Sequence, residues 1–293
     1  MPWLQLTLET TPDDAERIGD ALSELGAGAV TMEDGADQPL YEPPPGATPL
    51  WSATRVIGLF EANTDMAALT ARLAAKLELD TLPPWRVSPL EDKDWEREWM
   101  DRFQPMSFGD RLWICPSWCE PPHPEAINIL LDPGLAFGTG THPTTALCLQ
   151  WLDQNAVPCP EAIDYGCGSG ILAVAAVKLG AAHVWAVDND PQALIATRDN
   201  ASKNGVAEAI NAVAPQRLPP MRVKLLLANI LAQPLLELAE KFAALVEPGG
   251  HIVLSGILQQ QADEISRHYA QWFDMEPAAS REEWVRLSGV RRA

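Results

Sequence analysis

The sequence predicts an α/β protein of two domains, a small α+β sandwich followed by a doubly wound, mostly parallel sheet. Three observations predict it. Residues 161 to 190, EAIDYGCGSGILAVAAVKLGAAHVWAVDND, read as strand, glycine loop, helix, strand and acidic loop, which is one nucleotide-binding βαβ unit. Strands then alternate with helices, at 162 to 164, 184 to 187, 225 to 228 and 251 to 254, before a closing hairpin around 272 to 290. The first ninety residues instead run strand, helix, strand, strand, helix, strand.

Leu4, Leu6 and Leu8 alternate as on a half-buried strand, and Thr11, Pro12 and Asp14 start a helix whose apolar face is Ala15, Ile18, Leu22 and Leu25. Gly26 stops it. Strands near Ala29 to Met32 and Arg55 to Glu61 flank the loop DQPLYEPPPGATPLW. A second helix, capped by Thr64 and striped by Leu69, Leu73 and Leu77, leads to a strand at Trp85 to Val87. This order is that of a ferredoxin-like sandwich, and residues 1–90 contain no catalytic constellation, so they read as a recognition or structural module. Residues 91–105 are expected to form a connector helix, because EDKDWEREWMDRF is too charged for a core yet spaces Trp95, Trp99 and Phe103 along one stripe. The catalytic domain is then expected over 106–293, opening with a strand pair near Arg111 to Cys115 and Ala126 to Leu131.

At 293 residues and 47% hydrophobic content the chain is long enough for two cores. The start, MPWLQLTLETTPDDAER, has no basic segment followed by an apolar one, and the most apolar stretches are interrupted by Lys178, His183, Asn229 and Pro234. A cytoplasmic protein without a membrane span is expected. The five cysteines form no C-x-x-C pair, and Cys115, Cys119 and His123 find no fourth ligand, so free thiols and no metal are expected. The net charge of −19 argues against direct nucleic-acid binding. Residues 1 to 100 carry 19 acidic and 7 basic side chains, most of the excess, which serves either solubility or the steering of a basic partner.

The glycine loop narrows the ligand. Gly166, Gly168 and Gly170 let the backbone turn and approach it, and Asp188 at the tip of the second strand suits a ribose diol, so the ligand contains adenosine. The spacing is G-x-G-x-G, not G-x-G-x-x-G, and the acidic Asp164 precedes it. A carboxylate there repels a pyrophosphate and suits a ligand with a positive amino group and a positive sulfonium, S-adenosyl-L-methionine. A second loop, Phe137 to Thr145, lacks the G-K-[ST] ending of a phosphate loop and reads either as a flap over a ligand or as an ordinary helix start. His142 within it reads as loop-stabilising, not as a base. The strand Leu225 to Ala228 ends at Asn229, where open α/β sheets place ligands, although an asparagine capping the next helix fits the same position. The motif continues N-I-L-A, without the aromatic lid that a flat acceptor would need.

With these motifs in place, the sequence resembles the bacterial ribosomal protein L-eleven methyltransferase family, PrmA. The resemblance runs along nearly the whole chain: D-x-x-W-x-x-x-W at Asp92 to Trp99, F-G-T-G-T-H-P-T-T, D-Y-G-C-G-S-G-I-L-A, D-N-D-P-Q-A, N-G-V at 204 to 206, IVLSGIL, and E-E-W near the end. It implies a ferredoxin-like domain that recognises the ribosomal protein, a connector helix and a class I (Rossmann-like) methyltransferase domain. It also implies cofactor contacts at Thr145, Gly166, Asp188 and Asn229, and methylation of lysine side chains and the terminal amine of a basic ribosomal protein, with Asn229 orienting the amine. Lys224 stands where the family has an acidic residue, and the proline-rich stretch Val206 to Val223 offers no adenine-contacting acid. Three alternatives remain: an S-adenosylmethionine-dependent methyltransferase of another basic protein, a nicotinamide-dependent oxidoreductase, which Asp188 alone would permit, and a non-catalytic interaction protein on the same fold.

Overall fold

The computed structural model describes residues 3–36, 38, 49–90, 103–132, 140, 142–155 and 158–293. The chain divides into two compact units, Met1–Trp99 and Met100–Ala293. The division falls inside the stretch expected to be a connector. Residues 91–102 of that expected helix lie outside the described residues, and 103–105 are not helical.

In the first unit β1 (Trp3–Thr10), α1 (Pro12–Glu24), β2 (Ala29–Asp34), β3 (Thr54–Glu61), α2 (Met66–Lys76) and β4 (Trp85–Leu90) form one antiparallel sheet in the order β2-β3-β1-β4 with two helices. β1 and β2 both pair antiparallel with β3 between them, the connectivity of a split βαβ unit. The alternation of β1 sends Leu6 and Leu8 to one face, where they meet Ile18 and Leu22 of α1 and Leu69 and Leu73 of α2. Thr11 stands at the start of α1 with Pro12 behind it, as expected, but its hydroxyl makes no capping bond. α2 starts differently from the sequence reading. Asp65, not Thr64, caps it, its carboxylate accepting from the N–H groups of Ala67 and Ala68 at 3.0 and 3.1 Å. A carboxylate at the positive end of a helix is a stronger cap than a hydroxyl one residue earlier.

The second unit opens with β5 (Met106–Ser107), β6 (Leu112–Cys115) and β7 (Ile127–Leu130), a small sheet of their own. There follow α3 (Pro143–Asn155), β8 (Ala162–Tyr165), α4 (Ile171–Lys178), β9 (Val184–Val187), α5 (Pro191–Lys203), β10 (Ile210–Val213), β11 (Val223–Asn229), α6 (Ala232–Leu245) and β12 (Val246–Leu258). The chain closes with α7 (Gln259–Tyr269), β13 (Phe273–Met275), β14 (Ala279–Arg281) and β15 (Trp284–Arg291). The main sheet runs β10-β9-β8-β11-β12-β15-β13, with β14 beside β15. Its first five strands are parallel, and β15 turns antiparallel against β12. The sequence reading omitted β10, whose four residues are flanked by short helical turns and prolines.

A parallel sheet buries both faces, which is why β11 reads as a continuous apolar run, Leu225 to Ala228. One face is covered by α3, α4 and α5 through Leu149, Trp151, Ile171 and Val174, the other by α6 and α7 through Leu235, Phe242 and Tyr269. α4 is apolar almost all round because it is enclosed on nearly every side. From β8 the crossovers run outward to β9 and β10, and the chain then returns to β11 on the other side of β8. Between the carboxyl ends of β8 and β11 the strand order therefore reverses, and a crevice opens there.

Candidate functional site

That crevice holds a cavity of about 360 Å³, within the range of small-molecule sites. Three strand ends build it: Tyr165 to Gly168 at the end of β8, Asp188 and Asn189 after β9, and Asn229 to Leu231 at the end of β11, with Thr145 of α3 beside them. The structure thus brings Thr145, Gly166, Gly168, Asp188 and Asn229 to one cavity. Pro234 and Leu238 of α6 and Ile171 and Leu172 of α4 supply apolar walls.

Each polar group is held by the loop around it. The N–H groups of Gly166 and Cys167 both donate to the carbonyl of Val187, at 2.7 and 3.1 Å, tying the glycine loop to the end of β9. The Asp188 carboxylate accepts from Gly168 N at 3.0 Å and from Asp190 N at 2.9 Å, so the second strand end grips the loop in turn. Behind it, α5 contributes two residues that the sequence reading did not single out. Thr197 donates to the carbonyl of Gly168 at 3.1 Å, and Asn200 donates to that of Ser169 at 2.8 Å. Gly166 stands at φ 81°, and a Cβ there would lie 2.2 Å from Ile230 Cγ2. The loop and the N-I-L-A segment approach each other as closely as a bare backbone allows.

Two of the expected cofactor residues are not on the cavity wall. Gly170 is the left-handed start of α4, and the side chain of Thr197 occupies the place of its missing Cβ. Asp164 lies under the loop, 1% exposed, with Oδ2 accepting from Ala173 N at 3.0 Å and Oδ1 buried without a hydrogen-bond partner. Burial, reinforced by the charge of Asp188, pushes its carboxyl up to about 7 against the lowering effect of the Ala173 bond. It lies beneath the glycine loop and is not part of the cavity wall.

Asn229 is the last residue of β11, and the following helix starts after Leu231, so Asn229 is not its cap. Its amide nitrogen donates to Thr145 Oγ1 at 3.2 Å. That bond uses one of the two amide hydrogens, so the amide has a second donor and a carbonyl acceptor besides. Tyr165, also on the wall, receives a hydrogen bond from Lys241 Nζ at 2.9 Å and meets Phe242 edge-on. The wall residues Tyr165, Ile230, Leu231, Pro234 and Leu238 carried no signal of their own, because apolar side chains beside a strand end look like core. Of the second glycine loop, Phe137 to Thr145, residues 137–139 and 141 lie outside the described residues.

The donor set fits an adenosyl ligand with a cationic tail. The Asp188 carboxylate lines the cavity beyond the end of β9, and the Asp164 carboxyl, its pKa raised by burial, lies under the loop with one oxygen outside any hydrogen bond among the described residues. Gly166, Cys167 and Gly168 of the loop line the cavity directly. Among the described residues, no lysine or arginine lines the cavity to hold a pyrophosphate.

Comparison with known proteins gives the same direction. The family model described as "Ribosomal protein L11 methyltransferase (PrmA)" matches residues 2–292. The ribosomal protein L11 methyltransferase of Pseudomonas aeruginosa is 56% identical over 294 residues, all of both chains. That of Marinobacter nauticus is 55% identical over 296 residues, covering 100% of this chain and 99% of the other. The crystal structure of a ribosomal protein L11 methylase from Lactobacillus delbrueckii subsp. bulgaricus aligns with a TM-score of 0.59 at 32% identity, over 65% of this chain and 100% of that one. Matched by the family model along almost its whole length, and identical to these relatives at more than half of its positions, the chain belongs to the ribosomal protein L11 methyltransferase (PrmA) family.

Proposed function

We propose that this protein transfers methyl groups from S-adenosyl-L-methionine to lysine side-chain and terminal amines of large-subunit ribosomal protein L11, with Asn229 orienting the acceptor nitrogen. The single observation that carries this reading is the Asn229 amide at the carboxyl end of β11, pinned through its nitrogen to Thr145 and facing the cavity that the glycine loop closes. Gly166, Gly168 and Asp188 hold the adenosyl part, Asp188 as acceptor for the ribose hydroxyls, and Asp164 complements the cationic tail from below. When bound, the cofactor supplies an activated methyl group on a positively charged sulfur.

The chain's own task is to present a neutral amine. A lysine with its ordinary pKa near 10.4 costs roughly 4 to 5 kcal/mol to deprotonate at pH 7. The apolar wall of Ile230, Leu231, Pro234 and Leu238 desolvates the ammonium and favours its loss of a proton. Asn229 then accepts the remaining N–H and aligns the lone pair, without itself titrating. A pocket with apolar walls and one amide tolerates a nitrogen that already carries methyl groups, since no charge partner must be given up at each round. The acidic surface, net −19 over the chain, suits a basic protein as partner.

The test is methyl transfer to purified L11, with mass spectrometry of the product locating each methylated nitrogen. Methylated lysines and a methylated amino terminus are expected. Product methylated on carboxylates or on other atoms, or no product at all, would overturn the reading.

A further inference from the structure

The E-E-W sequence at 282 to 284 lies outside the cavity wall. Its backbone is unusual: Glu282 stands at φ 55°, in the left-handed region that side-chain-bearing residues seldom adopt. The first residue of α7 holds it there. Gln259 donates through its N–H to the carbonyl of Glu283 at 2.9 Å and through Nε2 to that of Glu282 at 2.8 Å. Glu282 opens the two-residue turn between β14 and β15, where a hairpin requires a positive φ, and the turn delivers the first residue of β15. That residue is Trp284, buried at the start of β15, whose ring meets the His142 ring edge-on with centroids 4.9 Å apart.

His142 stands immediately before α3. Its carbonyl accepts from Ala146 N at 3.1 Å, while its Nδ1 lies 2.7 Å from Thr144 Oγ1 and accepts from Thr144 N at 3.4 Å. Thr145, the next residue, receives the Asn229 amide. We propose that His142 and Trp284 are positioning residues, whose ring contact sets the first turn of α3 and thereby the orientation of Thr145 and the Asn229 carbonyl. The inference rests on the reading of Asn229 given above. Capping alone needs only a short polar side chain, and an imidazole locked against an indole is more than a cap requires. Burial holds the imidazole below its usual pKa even though Glu282 and Glu283 oppose this, so at pH 7 it is neutral and Nδ1 can accept from Thr144.

The experiment compares single-turnover methylation of purified L11 at saturating cofactor, with S-adenosylhomocysteine affinity and thermal midpoint, in full-length His142→Asn, Trp284→Phe, Asn229→Ala and the His142→Asn/Asn229→Ala double variant. Asparagine keeps a capping side chain and removes the ring, and phenylalanine keeps a ring edge for His142. His142→Asn is expected to slow methyl transfer by about tenfold or more with cofactor affinity and midpoint unchanged, and Trp284→Phe to stay within about threefold of wild type. In the double variant, His142→Asn should add less than about twofold to the loss from Asn229→Ala, because both act through one amide. A wild-type rate for His142→Asn, or losses that multiply in full, would overturn the inference alone. A wild-type rate for Asn229→Ala would overturn the reading of Asn229 and this inference with it.

Discussion

Asp188 and Asp164 are two carboxylates at one loop with opposite duties, and their surroundings separate them. Asp188 lines the cavity and accepts two backbone N–H groups, so its substitution removes a brace of the loop and, on the proposed reading, the acceptor for the ribose hydroxyls. Asp188→Ala should weaken S-adenosylhomocysteine binding by roughly 1 to 3 kcal/mol, measured by calorimetry. An unchanged affinity would remove Asp188 from the site. Asp164 is buried with a carboxyl raised to about 7, whereas in the unfolded chain it titrates near the ordinary 3.8. Between those values the folded protein holds a proton that the unfolded chain releases. Its contribution to stability is therefore fully present below about pH 4 and is lost as pH rises through about 7, to the extent of roughly 4 kcal/mol. Asp164→Asn removes that loss. Denaturant midpoints of the ligand-free protein from pH 5 to pH 8 should show the variant gaining on the wild type as pH rises, and parallel curves would show that Asp164 is ionised throughout.

At the scale of elements, the site depends on Ile230 being clamped between the loop after β8 and strand β12. Gly166 approaches it from the end of β8, and Gly256, at φ 83° within β12, approaches from the other side with a would-be Cβ only 2.2 Å from the Ile230 carbonyl oxygen. A side-chain methyl can rotate away, but a carbonyl held in the backbone cannot. Gly256→Ala should accordingly cost about 2 kcal/mol or more of unfolding free energy and exceed the cost of Gly166→Ala, as read from denaturant midpoints. Equal midpoints would mean that the N-I-L-A segment can shift freely. Much of this element was legible, since the glycine spacing, Asp188 and the apolar run ending at Asn229 placed three strand ends at one crevice before any coordinates. What stayed hidden depends on contacts distant in sequence. Whether Asn229 caps a helix turns on where α6 starts, its partner Thr145 lies 84 residues away, and the support of the loop by Thr197 and Asn200 comes from a helix whose threonines and asparagines look like any other surface. Asp164 was legible as an acid beside the loop but not as one buried beneath it, because a strand-end residue can point either way. Asp65 took the cap from Thr64 because carboxylate and hydroxyl are neighbours and only geometry chooses between them.

Across the whole molecule the dominant quantity is charge, −19 in total, with residues 1 to 100 contributing 19 acidic side chains against 7 basic ones. If that excess steers a basic partner, the KM for L11 should rise several-fold between low salt and about 0.3 M salt, while cofactor affinity, governed by a sheltered cavity, changes little. A salt-independent KM would assign the charge to solubility alone. The central claim is that the amide at the end of β11 presents the acceptor amine, and it is tested most directly by the single-turnover rate of methyl transfer to L11 in wild type and Asn229→Ala at saturating cofactor. Loss of one hydrogen bond that matters mainly in the transition state should slow the step roughly thirty- to thousandfold, with S-adenosylhomocysteine affinity nearly unchanged. A variant within about threefold of wild type would contradict the claim and leave the acceptor to be held by other groups.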